Sequence, residues 1–158
     1  GKTEGHLDQS IFAKNILSED KGPPPEINLF NEKNNGETLL KLMEKDLIYS
    51  CHDVSLGGIL VTISEMCIMG KKGIKINPIK NLTNKFEYFF GEDQSRYIIE
   101  IEKESIDIVT KILNDNSVHY DKLGKVSNNQ IEFSNEIKLT IEEIEESNKT
   151  WFKEYMDK

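Results

Sequence analysis

His52, Asp53 and Ser55 stand directly ahead of a Gly57-Gly58 pair, and an apolar segment from Ile59 to Met69 follows. A short apolar run, Leu47 to Tyr49, precedes them and reads as a strand. Strand, glycine turn, helix is a geometry that suits an anion. The start of a helix leaves backbone N–H groups unpaired, and glycines let a ligand approach the main chain. A carboxylate beside such a start suits a magnesium nucleotide, because Mg²⁺ takes oxygen ligands and bridges to phosphate. On this pattern Asp53 is the candidate metal ligand. His52, Ser55, Gly57 and Gly58 are the candidate nucleotide or phosphate contacts. The same residues also fit an ordinary helix start: His52 hydrogen-bonded in a strand-end turn, Asp53 or Ser55 as a cap, and the glycines as packing positions.

A second cluster, Glu92, Asp93 and Arg96, follows Gly91 in Phe90-Gly91-Glu92-Asp93-Gln94-Ser95-Arg96-Tyr97. It fits a surface turn with a local ion pair, which carries little energy. It also fits a polar edge that meets a ligand or another domain.

The elements that must position these groups follow from periodicity. Ile11 to Leu17 predicts a short helix, and Ser18 to Pro25 an extended linker stiffened by consecutive prolines. The segment from Ile27 to Leu47 predicts one or two helices, with Asn34-Asn35-Gly36 as a possible break. The strand extends from Leu47 to Cys51. The Ile59–Met69 helix is apolar on most sides and is expected to be buried. Ile74 and Ile76 alternate with lysines, as in a strand. Phe86, Phe89 and Phe90 fit a short helix, and Tyr97 to Ile101 a strand. Ile106, Val109, Ile112 and Leu113 have helical spacing. Strands are expected at Val118–Val126, Gln130–Phe133 and Ile137–Leu139, with a turn at Asn128-Asn129. Thr140 and Glu143 form a capping box for a last helix, whose stripe of Ile141, Ile144, Trp151 and Tyr155 is expected to pack. There is no internal repeat. The order predicts an α/β or α+β fold with helices on a mixed sheet.

Composition bounds the partners. The chain has 158 residues, 37% hydrophobic and 30% charged, which describes one globular domain or part of a larger protein. Its net charge of −8 argues against nucleic acid. Cys51 and Cys67 belong to no Cys-x-x-Cys pair, and His6, His52 and His119 are scattered, so no zinc pattern is present. Apolar surroundings for both cysteines predict reduced thiols and a cytoplasmic location. No apolar run is long enough to span a membrane. The first residue is Gly1, not Met, so the chain is expected to be an excised fragment.

Four segments in this order carry a family resemblance: Gly1 to Ser10 (GKTEGHLDQS); Cys51 to Gly58 with Ser64-Glu65-Met66; Phe90 to Tyr97; and Trp151-x-x-x-Tyr155-Met156. Together they resemble the C-terminal part of the PurL-type phosphoribosylformylglycinamidine synthases, the small-type formylglycinamide ribonucleotide amidotransferases of the AIR-synthase-like superfamily. The resemblance implies that residues 1–158 are a single AIR synthase C-terminal-like domain, the second C-domain of a larger chain, with its leading strand before Gly1. It implies an ATP-dependent carbon–nitrogen ligase. That enzyme converts formylglycinamide ribonucleotide to the amidine through an iminophosphate, with Mg²⁺ on the phosphates. Ammonia would come from a separate glutaminase subunit, with a small bridging subunit alongside. Asp53 falls where some relatives hold Mg²⁺ of a non-reacting ATP or ADP, and Ser55 where they touch that nucleotide. The family's principal catalytic histidine lies outside this chain, so no catalytic residue is expected here and the isolated segment is expected to be inactive. Two positions depart from the pattern: Leu56, where Asp is common, and Asp8, where Gly is common. The other readings are a structural or assembly domain without a ligand site, and a C-domain of another ATP-using member of the superfamily.

Overall fold

The computed structural model describes residues 1–79, 82 and 84–157 of the chain. A π-helical turn, Ala13–Leu17, comes first. Then follow α1 (Leu29–Glu44), β1 (Ser50–Asp53), α2 (Gly58–Gly70), β2 (Gly73–Ile76), α3 (Lys85–Phe90), β3 (Tyr97–Glu100), a 3-10 turn (Lys103–Ser105), α4 (Ile106–Asp115), β4 (Gly124–Ser127), β5 (Gln130–Phe133), β6 (Ile137–Thr140) and α5 (Ile141–Met156). The chain divides into two compact units, Gly1–Thr62 with Leu82–Asp121 and Ile63–Asn81 with Lys122–Lys158. Among the described residues no helix is long and apolar enough to cross a membrane.

In the first unit β1 and β3 form an antiparallel pair, with Asp53 opposite Tyr97 and His52 opposite Ile98. Asn28 caps α1 by accepting the Asn31 N–H at 3.0 Å. The expected break at Asn34-Asn35-Gly36 does not occur, because α1 runs through it. A helix tolerates one interior glycine at a cost of about 1 kcal/mol. Both asparagine side chains are engaged elsewhere: Asn34 donates to the Asn116 carbonyl at 2.8 Å and Asn35 to the Ser95 carbonyl at 3.0 Å. Phe12 stacks against Phe90 and Phe86, so the N-terminal turn packs on α3.

Two predicted strands begin later than expected, for one reason. At the end of α1, Asp46 takes a left-handed conformation (φ 53°), its N–H reaches the Met43 carbonyl, and the Leu47 N–H reaches the Leu42 carbonyl. This is a Schellman cap, so Leu47 closes the helix and β1 starts at Ser50. The end of α4 repeats it: Ser117 has φ 56°, and the Val118 N–H bonds the Leu113 carbonyl. Val118 therefore belongs to that cap, and the strand expected from Val118 is β4, Gly124–Ser127.

In the second unit the strand order is β4-β2-β5-β6. β2 runs antiparallel to β4 and parallel to β5, and β5 runs antiparallel to β6, so the sheet is mixed. Alternation puts Ile76, Ile131 and Phe133 on a buried face and Lys75, Lys125, Glu132 and Lys138 on the other. The capping box holds α5: the Thr140 hydroxyl accepts the Glu143 N–H at 3.2 Å, and the Glu143 carboxylate accepts the Thr140 N–H at 2.8 Å.

Two burial expectations need correction. α2 buries a single stripe, Ile59, Ile63 and Cys67 with Thr62, while Met69 is 84% exposed. An apolar helix end need not be covered merely because it is apolar. On α5, Ile141 is buried, but Trp151 and Tyr155 are 57% and 69% exposed. The stripe is anchored only at its first turn.

Candidate functional site

The site is built in the first unit, where β1 ends and α2 begins. A cleft of about 340 Å³ is lined by Asp53, Ser55 and Leu56 from this junction, by Glu32 from α1, and by Glu92, Gln94, Arg96 and Tyr97 from the segment leading into β3. The antiparallel register sets the two motifs side by side: Asp53 faces Tyr97, and the Val54 N–H bonds the Arg96 carbonyl at 2.9 Å. Asparagine 35 fixes the Ser95 turn, whose φ of 61° is left-handed, through bonds to its carbonyl and hydroxyl, each at 3.0 Å.

Of the residues singled out from the sequence, Asp53 and Ser55 line the cleft and His52, Gly57 and Gly58 do not. The His52 ring is held against its own strand end instead. The His52 Nδ1 atom bonds the Asp53 carbonyl at 2.7 Å and lies 3.5 Å from the Asp53 carboxylate. Both glycine N–H groups are engaged by the protein itself. Gly58 donates to the Ser55 carbonyl at 3.1 Å, closing the turn. Gly57 donates to Glu92 Oε1 at 2.8 Å, and the same oxygen accepts the Ile11 N–H at 2.9 Å. An internal carboxylate therefore occupies the main-chain position that the sequence suggests for a phosphate.

Gly58 has a second reason to be glycine. Its φ is +70°, and a Cβ there would lie 2.7 Å from the Phe89 carbonyl oxygen and 2.8 Å from that of Gly91. The start of α2 thus rests on the backbone at the end of α3.

The second cluster is no surface turn. Asp93 and Arg96 are 7% and 3% exposed. Asp93 accepts three main-chain N–H groups, from Glu4, Gly5 and His6, each at 3.0 Å. Arg96 donates to the Gly91 carbonyl at 2.6 Å and the Asp93 carbonyl at 3.1 Å, and approaches the Asp93 carboxylate at 3.7 Å. Burial lowers the Arg96 pKa, and the Asp93 charge opposes that shift. The pair clasps the N-terminal loop to the segment that ends the cleft.

The cleft has an acidic character. Burial raises the Tyr97 phenol, and the Glu32 and Asp53 carboxylates raise it further. Burial and then Asp53 likewise raise the Cys51 thiol. Glu32 was not among the sequence candidates. It sits on α1, far along the chain, and no local pattern marks it. Among the described residues no three His, Cys, Asp or Glu side chains gather closely enough to hold a metal alone. Asp53, 64% exposed at its side chain, can still serve Mg²⁺ that arrives with phosphates, since that ion commonly takes one or two protein carboxylates and completes its shell with water and phosphate oxygens.

The family described as "AIR synthase related protein, C-terminal domain" matches residues 6–134. The phosphoribosylformylglycinamidine synthase subunit PurL of Pelagibacter ubique is 57% identical over 99% of this chain, which spans 22% of that relative. A solved structure described as T. maritima PurL complexed with FGAR has a TM-score of 0.69 at 20% identity, over 84% of this chain and 24% of that one. Another, described as T. maritima PurL complexed with ATP, has a TM-score of 0.62 at 18% identity, over 71% and 21%. This chain thus spans about a fifth of the length of the curated relatives it matches. With the family match covering most of its length, the chain belongs to the AIR synthase related protein C-terminal domain family.

Proposed function

We propose that this chain is the second C-terminal domain of an ATP-dependent carbon–nitrogen ligase of purine biosynthesis. The full enzyme converts formylglycinamide ribonucleotide to formylglycinamidine ribonucleotide in the cytoplasm, with ammonia from a glutaminase subunit and a small bridging subunit as a further partner. The observation that carries this reading is the 57% identity to a PurL subunit along the whole chain. The solved structures named with FGAR and ATP are consistent with it in fold.

Within that enzyme the cleft beside Asp53 takes the magnesium end of a nucleotide. Asp53 is the metal ligand, and the acidic surroundings from Glu32 and Asp53 favour a cation there. Ser55, on the same rim, offers a hydroxyl to the nucleotide. His52 acts through its bond to the Asp53 carbonyl and positions the strand end. Gly57 reaches a phosphate only where Glu92 has left its N–H, and Gly58 shapes the turn that presents it. Magnesium supplies charge neutralisation of the phosphates when bound. A catalytic residue is absent from the proposal, and the isolated segment is inactive.

Two observations favour a second reading, in which the domain only buttresses the enzyme. Glu92 already satisfies Gly57, and Gly58 is explained by packing alone. The experiment for the function is ATP turnover by the full-length parent enzyme with and without formylglycinamide ribonucleotide. ADP formation that depends on this substrate and on ammonia supports the proposal, and turnover indifferent to the substrate defeats it.

A further inference from the structure

We infer that the second half of α5 is a docking element that seats against another domain of the same, longer polypeptide. Three observations lead there. First, the helix's apolar stripe changes environment along its length. Ile141 is 4% exposed, whereas Trp151, Phe152, Tyr155 and Met156 are all more than half exposed. The Trp151 and Phe152 rings pack edge to face, 5.6 Å between centroids, and form one continuous patch. Second, the family match ends at residue 134, before α5, yet the PurL relative of 57% identity matches 157 residues of this chain. Similarity to that relative thus continues through α5, past the family match.

Third, the area selects the occupant. An aromatic side chain carries roughly 150–250 Å², so the exposed parts of these rings amount to some hundreds of Å². That matches the largest patch an ordinary monomer shows, and such patches are often functional. It falls short of the ~800 Å² per partner that a stable association of separate molecules buries. A tether removes that requirement, because a linked domain is held at high effective concentration. The chain spans about a fifth of its relatives, so the remainder of such a polypeptide offers the tethered surface.

The inference rests on the chain's being part of a longer PurL-type polypeptide, but not on the reaction catalysed. Loss of substrate-dependent turnover would therefore leave its test intact. Trp151 is the only tryptophan of this chain, and it supplies the probe. In the intact polypeptide, the emission removed by Trp151→Phe is expected to be blue-shifted and poorly quenched by acrylamide, and to stay so on dilution. The variant Trp151→Ser/Tyr155→Ser is expected to raise proteolysis within residues 141–157 about tenfold, as loss of buried aromatic anchors does. Quenching as free as that of a small indole, or an unchanged cleavage rate, overturns the inference. Protection that disappears on dilution also overturns it and makes the occupant a second copy.

Discussion

Glu92 Oε1 accepts the Gly57 N–H at 2.8 Å, while its backbone N–H donates to the His6 carbonyl at 2.9 Å. With the Ile11 N–H on the same carboxylate oxygen, one residue joins the N-terminal loop to the start of α2. Hydrogen bonds to a charged acceptor contribute about 1.5–3 kcal/mol when well sheltered, and this one is half-buried. Glu92→Gln keeps an oxygen in place and removes the charge. It should cost about 1 kcal/mol in urea unfolding and strengthen phosphate binding at Gly57 by relieving repulsion. A stability loss without any gain in phosphate affinity would mark Glu92 as a structural tie only.

Asp93→Asn should be more damaging. The amide cannot accept from Glu4, Gly5 and His6 together without turning its own N–H groups toward one of them, and Arg96 is left buried beside a neutral partner. Breaking a buried pair by removing one member costs about 3–5 kcal/mol. The check is the denaturant midpoint, and a shift within error would show that the N-terminal loop contributes nothing to the fold.

These two residues show what the sequence makes legible. Element types follow from periodicity because α4, β5 and the start of α5 bury the predicted apolar positions Val109, Ile131, Phe133 and Ile141. Element starts fail at Leu47 and Val118, each the apolar residue after a left-handed Asp46 or Ser117. A glycine there would announce a cap, and Asp or Ser does not. The proximity of the two motifs is a long-range fact of the β1–β3 register, with no local signal. The exposed end of α5 shows the limit of helical spacing, which gives a stripe but not what covers it.

Thr38 offers a gain. It is 1% exposed on α1, and its hydroxyl has no hydrogen-bond partner among the described residues. An unsatisfied buried hydroxyl costs about 1–3 kcal/mol, and valine has nearly the same shape. Thr38→Val should raise stability by about 1 kcal/mol, visible as a melting point a few degrees higher. A lower melting point would mean that the hydroxyl has a partner after all.

Acid should loosen the second unit through Glu145. Its carboxylate is bonded by Lys149 and, at 2.6 Å, by Lys71, which pull its pKa from 4.5 to about 2. A folded-state pKa below the unfolded one means stabilisation that is fully present above about pH 4.5 and lost as pH falls toward 2. Glu145→Gln should therefore flatten the stability profile in that window and leave it unchanged in shape near neutrality. High salt should shrink the difference, since the bridge is at the surface. Parallel profiles for both proteins between pH 2 and 5 would remove Glu145 from the account.

Asp53 carries the link between the site and the proposed function. Its carboxylate lines the cleft and contributes to the acidic field that raises Tyr97. The direct measurement is calorimetric titration of the full-length parent enzyme with ATP or ADP in the presence and absence of Mg²⁺, for the wild type and for Asp53→Asn. The account predicts a magnesium-dependent component of nucleotide affinity that falls about tenfold or more in the variant, as loss of one charged ligand does. Equal magnesium-dependent affinity in both proteins would contradict it, leaving Asp53 a strand-end residue in a buttressing domain.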